Sequence, residues 1–135
     1  MSSVLVVEVN DFFRKSFIEI LKMHLPNLFV DGAGDGPEAL KRIGISQPDM
    51  VLMDMRLNDK SGLELAKEIK KRNPEIVVGL FTSYDIPEKD KQSLRCSVDH
   101  FLLKDTLSVA EVARLIESVL SRKRRQQYAL AAASN

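Results

Sequence analysis

Short apolar runs alternate with longer stretches whose apolar residues recur at helical spacing, and the alternation repeats five times along the chain. Val4-Leu5-Val6-Val7 is continuously apolar and largely β-branched, which predicts a strand buried on both faces. From about Asp11 to Leu25 the positions Phe13, Phe17, Ile20, Leu21 and His24 or Leu25 mark one helix face, and Pro26 follows as a stop. Leu28-Phe29-Val30 predicts a second strand. Gly32, Gly34 and Gly36 then break the chain, and Pro37 suits the first turn of a helix running to Ile43. Met50-Val51-Leu52-Met53 is a third strand, ending at Asp54. A helix over 62–72 follows, with Leu63, Leu65, Ala66 and Ile69 as its apolar positions. Ile76 to Phe81 is the clearest buried strand. A more polar helix is expected over 86–95, a fifth strand at Phe101-Leu102-Leu103, and a last helix over 107–125. Its face carries Val109, Val112, Ala113, Ile116, Val119 and Leu120.

Five strand-then-helix units predict an α/β fold: a doubly wound five-stranded parallel sheet with helices on both faces. Parallel neighbours need crossover connections, and these are almost always right-handed. Ligands of such sheets bind beyond the carboxyl ends of the strands. Function is therefore to be sought in the residues that end each strand.

Composition narrows the class. A chain of 135 residues suits one domain, and a 44% hydrophobic share is enough to build its core. No apolar run is long enough to span a bilayer, and Glu8 and Asp11 follow the first apolar stretch too closely for a secretory leader. The single cysteine, Cys96, excludes an intramolecular disulfide. These features predict a cytoplasmic domain with no membrane partner. Net charge is +1, yet Arg122, Lys123, Arg124 and Arg125 sit together and no acid follows them. Residues 1–121 hold the remaining 16 basic and all 19 acidic side chains, or −3. This divides the chain into a mildly acidic body, 1–121, and a basic helix end with a tail, 122–135. Such a body is not expected to bind nucleic acid by itself. The basic run suits a helix C-terminus; contact with DNA or a membrane is the other reading.

The strand ends carry Glu8, Asp54, Thr82 and Lys104, and singly each reads as a solvated loop residue. Together they can form a site. Two carboxylates offer hard oxygen ligands to a cation, while a hydroxyl and an ammonium suit phosphoryl oxygens. With the stretches Asp35-Gly36-Pro37-Glu38-Ala39-Leu40, Pro48-Asp49-Met50-Val51-Leu52-Met53-Asp54, Ser61-Gly62-Leu63, Phe81-Thr82-Ser83 and Phe101-Leu102-Leu103-Lys104-Asp105, the chain resembles the CheY-like receiver domain of bacterial two-component response regulators. The spacings of 46, 28 and 22 residues between the four strand-end groups are similar to that family's.

The resemblance implies a (βα)5, flavodoxin-like arrangement and a role for each position. Asp54 would accept a phosphoryl group from a sensor histidine kinase or phosphotransfer protein. Glu8, Asp54 and the backbone carbonyl of Arg56 would hold Mg²⁺. Lys104 and Thr82 would contact the phosphoryl oxygens, and Phe101 would swing inward to reshape the face of the fourth helix, fifth strand and fifth helix. Arg56 and Tyr84 stand where relatives tune loss of the phosphoryl group. The chain would act as a switch and not as an enzyme: an aspartate-nucleophile phosphatase carries a second aspartate where Arg56 stands. The apolar face of the last helix permits a homodimer.

The pattern departs from the family at Glu8-Val9, where a pair of adjacent acids is usual. Valine offers no ligand atom. A unit charge about 4 Å from a cation is worth on the order of 4 kcal/mol at an effective dielectric near 20, part of which a water would recover. Weakened Mg²⁺ affinity is expected. Glu8, one methylene longer than aspartate, has the reach to touch the ion, and Asp11 is either a substitute ligand or the cap of the first helix. Asn58 and Asp105 stand where the family often has proline. The alternative function is a phosphorylation-independent pseudo-receiver, a protein–protein interaction module on the same fold. Thr82 has a plainer role in satisfying a strand-end backbone group, and Phe101 in filling core. Only 10 residues follow Arg125, so no DNA-binding domain is expected within this sequence, and the chain is a free-standing receiver or a piece of a longer regulator.

Overall fold

A computed structural model describes residues 2–134. Strands and helices alternate as β1 (Ser3–Val7), α1 (Asp11–His24), β2 (Phe29–Ala33), α2 (Gly36–Ile45), β3 (Met50–Asp54), α3 (Gly62–Arg72), β4 (Val77–Thr82), α4 (Glu88–Leu94), β5 (His100–Leu103) and α5 (Val109–Ala133). The five strands form one parallel sheet in the order β2-β1-β3-β4-β5. The expected doubly wound α/β architecture is present.

Strand side chains alternate between two cores, as the period-two pleat requires. Leu5, Val7, Val51, Met53, Val78 and Leu80 face α2 and α3, packing with Ala39, Ile43, Leu65, Ala66 and Ile69. Val4, Val6, Met50, Leu52, Phe81 and Leu102 face the other way, onto Phe17 and Leu21 of α1 and Val112, Ile116, Val119 and Leu120 of α5. Burial on both faces explains why these strands read as unbroken apolar runs. Because β2 and β3 flank β1 on opposite sides, the chain changes direction between β1 and β3. Their carboxyl ends open the crevice where such sheets bind ligands.

Three expectations need correction. The second strand begins one residue later than predicted and runs through Gly32 to Ala33, so Gly32 belongs to the strand, paired with Val6. The α1 side chains pack closely over it: a Cβ there would lie 2.8 Å from the terminal methyl of Ile18, which would have to turn aside. The cap of α1 is Asn10, whose side chain accepts from the Phe13 N–H; Asp11 is the first helical residue. Finally, α5 does not end near Arg125 but continues to Ala133. Alanine, glutamine and leucine are strong helix formers, and neither proline nor glycine interrupts them. The basic run therefore lies within the helix, whose last turn contains no basic residue. Within it Lys123 is half-buried and donates to the Asp49 carbonyl at 2.8 Å, tying α5 to the amino end of β3.

The fourth helix is the least anchored. It has seven residues, none buried, and Pro87 gives it no side-chain cap. Among the described residues, no helix is long and apolar enough to cross a membrane.

Candidate functional site

Glu8 follows β1 directly and is 5% exposed, the more deeply buried of the two strand-end acids. One carboxylate oxygen accepts the Asn10 N–H at 3.1 Å. Asp54 ends β3, one strand away. Lys104 follows β5, with its own N–H donating to the Thr82 carbonyl at 2.8 Å, and its side chain reaches back across the strand ends. The ammonium Nζ lies 2.7 Å from Glu8 Oε1 and 3.0 Å from Asp54 Oδ2. Residues 96 and 50 positions apart in sequence thus meet at one point. Burial alone would lower the Lys104 pKa, but hydrogen bonds and charge from Glu8 and Asp54 outweigh it and hold the group above the ordinary lysine value.

Thr82 and Phe101 are not part of this cluster. The Thr82 hydroxyl, 2% exposed, donates to the Tyr84 carbonyl at 2.7 Å and so satisfies a backbone acceptor. Phe101 is half-buried against the core on the α2–α3 side. Arg56 is exposed, and its backbone N–H lies at the outer limit of hydrogen bonding, 3.5 Å from Asp54 Oδ1. Asp11 is exposed and pairs with Arg14, whose hydrogen bond and charge hold the carboxyl below its usual range. The same guanidinium donates to the Glu8 carbonyl, so Arg14 links Asp11 to the turn after β1.

Two residues escaped the functional reading of the sequence. Phe13 is one: its ring centroid lies 4.4 Å from the Lys104 ammonium. The sequence marks Phe13 only as an apolar helix position; its signal is that it lies in the first turn of α1, five residues after Glu8. Gly62 is the other. A Cβ there would overlap the Asp54 carbonyl oxygen and lie 2.9 Å from a Leu80 methyl, so α3 can start against the end of β3 only without a side chain. The Gly62 N–H donates to the Met55 carbonyl at 2.7 Å, while Arg56 bridges Ser61, closing the loop after Asp54.

The two carboxylates are hard oxygen donors of the kind Mg²⁺ accepts, and this ion commonly takes only one or two protein carboxylates. The donor chemistry fits that cation. It is a sparse set, however. Val9 contributes no side-chain oxygen, no group of three metal-ligating side chains occurs among the described residues, and the ammonium already offsets one of the two negative charges.

Comparison with known proteins gives a consistent picture. The family model for the response regulator receiver domain matches residues 4–119. The DNA-binding transcriptional activator DevR/DosR of Mycobacterium tuberculosis is 29% identical over 120 residues, covering 88% of this chain and 54% of that protein. Response regulator protein VraR of Staphylococcus aureus is 30% identical over 103 residues, 76% of this chain and 49% of that protein. The chain spans about half the length of these curated relatives. Among solved structures, response regulator protein TrrA from Thermotoga maritima, in complex with Mg(2+)-BeF, superimposes with a TM-score of 0.75 at 25% identity, over 88% of this chain and 99% of that one.

Proposed function

The chain belongs to the family of response regulator receiver domains, and on that premise we propose that it is a phosphoacceptor switch operating through Asp54. A carboxylate oxygen of Asp54 attacks the phosphorus of a phosphohistidine on a sensor histidine kinase or phosphotransfer protein. An O–P bond forms as the P–N bond breaks, and the imidazole leaves with that electron pair. Lys104, already within hydrogen-bond distance of Asp54, neutralises charge on the phosphoryl oxygens in the transition state. Glu8, Asp54 and the Arg56 carbonyl would hold Mg²⁺, which supplies further charge neutralisation when bound, with affinity reduced by the missing acid at Val9.

The observation that carries this reading is the convergence of Lys104 on Glu8 and Asp54 at 2.7 and 3.0 Å. After transfer, the Thr82 hydroxyl would exchange the Tyr84 carbonyl for a phosphoryl oxygen, and Phe101 would move further inward. The face of α4, β5 and α5 would change with them. The sparse anchoring of α4 supports this choice, since segments with few buried contacts reorganise at least cost. The domain is proposed to act in the cytoplasm, as a switch and not as a turnover enzyme, with no nucleic-acid contact of its own. Output through a homodimer along α5 is also proposed.

Val9 favours a second reading, in which the chain binds a partner without being phosphorylated and Lys104 serves as the resident cation of the site. Labelling with acetyl phosphate, beside direct Mg²⁺ titration, separates the two. The phosphoacceptor reading expects labelling of the wild type, its loss in Asp54→Asn, and Mg²⁺ binding at least tenfold tighter in Val9→Asp. Labelling that appears only in Val9→Asp would establish the interaction module instead.

A further inference from the structure

An ammonium has three N–H donors and no acceptor. For Lys104, carboxylates lie on two sides, Glu8 at 2.7 Å and Asp54 at 3.0 Å, and the ring of Phe13 lies 4.4 Å away as a third neighbour. We propose that Phe13 is a positioning residue of the phosphoacceptor site, its ring holding the Lys104 ammonium against Glu8 and Asp54. The part of this inference that concerns phosphoryl transfer rests on the function proposed above; the placement of the ammonium does not.

The ring is itself fixed. Phe13 stacks on Phe17 with centroids 5.8 Å apart and planes inclined by 10°. Phe17 meets Phe81 edge-on at 5.5 Å and 88°. Both supporting residues are buried, Phe17 7% and Phe81 6% exposed, so Phe13 is braced by the core on the α1–α5 side. An ordinary apolar helix position could be filled by leucine. Leucine lacks the negative π-face that attracts a cation, however, and that attraction strengthens as the cation is desolvated. The Lys104 side chain is 27% exposed, which places it in the partly desolvated range. The missing acid gives the ring its importance. With Val9 beside Glu8, a second acid from that turn is not there to draw the ammonium inward.

The test compares the full chain with Phe13→Leu and Phe13→Tyr. In nuclear magnetic resonance, the Lys104 ε-methylene protons of the wild type should show an upfield ring-current shift, kept in Phe13→Tyr and lost in Phe13→Leu. With acetyl phosphate as donor, Phe13→Leu should reduce the maximal rate of Asp54 labelling about fivefold, with little change in the donor concentration for half-maximal rate. Phe13→Tyr should label at the wild-type rate. An unchanged Lys104 shift, or a wild-type maximal rate, in Phe13→Leu would overturn the proposal. If the wild type itself is not labelled, the phosphoacceptor reading fails and the ring-current comparison alone decides whether Phe13 holds the ammonium. Should Phe13→Leu not fold, Phe13→Met carries the same comparison.

Discussion

Lys104 Nζ and Glu8 Oε1 lie 2.7 Å apart across 96 residues of sequence, and the acid of this pair is almost wholly buried while the base keeps an edge in water. The asymmetry has an energetic consequence. A buried carboxylate is tolerated only when paired and hydrogen-bonded, and here the ammonium and the Asn10 N–H supply both.

Lys104→Met should therefore cost stability, because it leaves Glu8 beside Asp54 with no cation between them. Breaking a fully buried pair costs about 3–5 kcal/mol; with Lys104 27% and Asp54 20% exposed, about 2 kcal/mol is expected. Urea denaturation at neutral pH measures the loss, and millimolar Mg²⁺ should recover part of it. A variant as stable as the wild type would mean that water already screens the pair. Since the folded-state pKa of Lys104 lies above the ordinary lysine value, its stabilisation is complete at neutral pH and is lost only as pH rises through that folded value.

Gly62→Ala tests the contact between β3 and α3. The added methyl would overlap the Asp54 carbonyl, which is backbone and cannot rotate away. Overpacking of this kind costs about 3 kcal/mol, and the end of β3, with Asp54, must shift to admit it. Urea midpoints should fall accordingly. The backbone resonances of Asp54 and Met55 should move more than those at the opposite end of the sheet.

A pH effect is expected from His100 at the start of β5. Burial lowers its pKa below the ordinary 6.5, against the opposing charge of Asp99 and with Arg122, Arg95 and Lys70 adding to the depression. The unfolded chain then binds more protons than the folded one below that pH. Stability is full above about 6.5 and declines as pH falls through the folded-state value. His100→Gln removes this contribution. Urea midpoints of wild type and variant should diverge between about pH 7.5 and pH 5.5, with the wild type declining more steeply. Parallel curves would contradict it.

The strands were the most legible part of the molecule. Val4–Val7, Met50–Met53 and Val77–Phe81 are short runs without polar side chains because both sheet faces are covered. Glycine is a more ambiguous signal. Gly32 has the local signature of a break yet belongs to β2, because its pairing with Val6 joins segments too far apart in sequence to leave a local trace. The end of α5 is hidden for a different reason: basic and alanine-rich residues with no apolar stripe carry no amphipathic signal, although their helix propensity is high.

At the site, the identities of Glu8, Asp54 and Lys104 and their position at one rim of the sheet follow from residue order alone, because strand ends in a parallel sheet share an edge. Which of those groups touch is a matter of side-chain reach and burial. The ammonium lies on both carboxylates and under an aromatic ring, whereas the Thr82 hydroxyl turns to the Tyr84 carbonyl instead. Local patterning encodes the direction in which each strand delivers its last residue. The contacts beyond that point depend on chain segments too far apart in sequence for any local pattern to record.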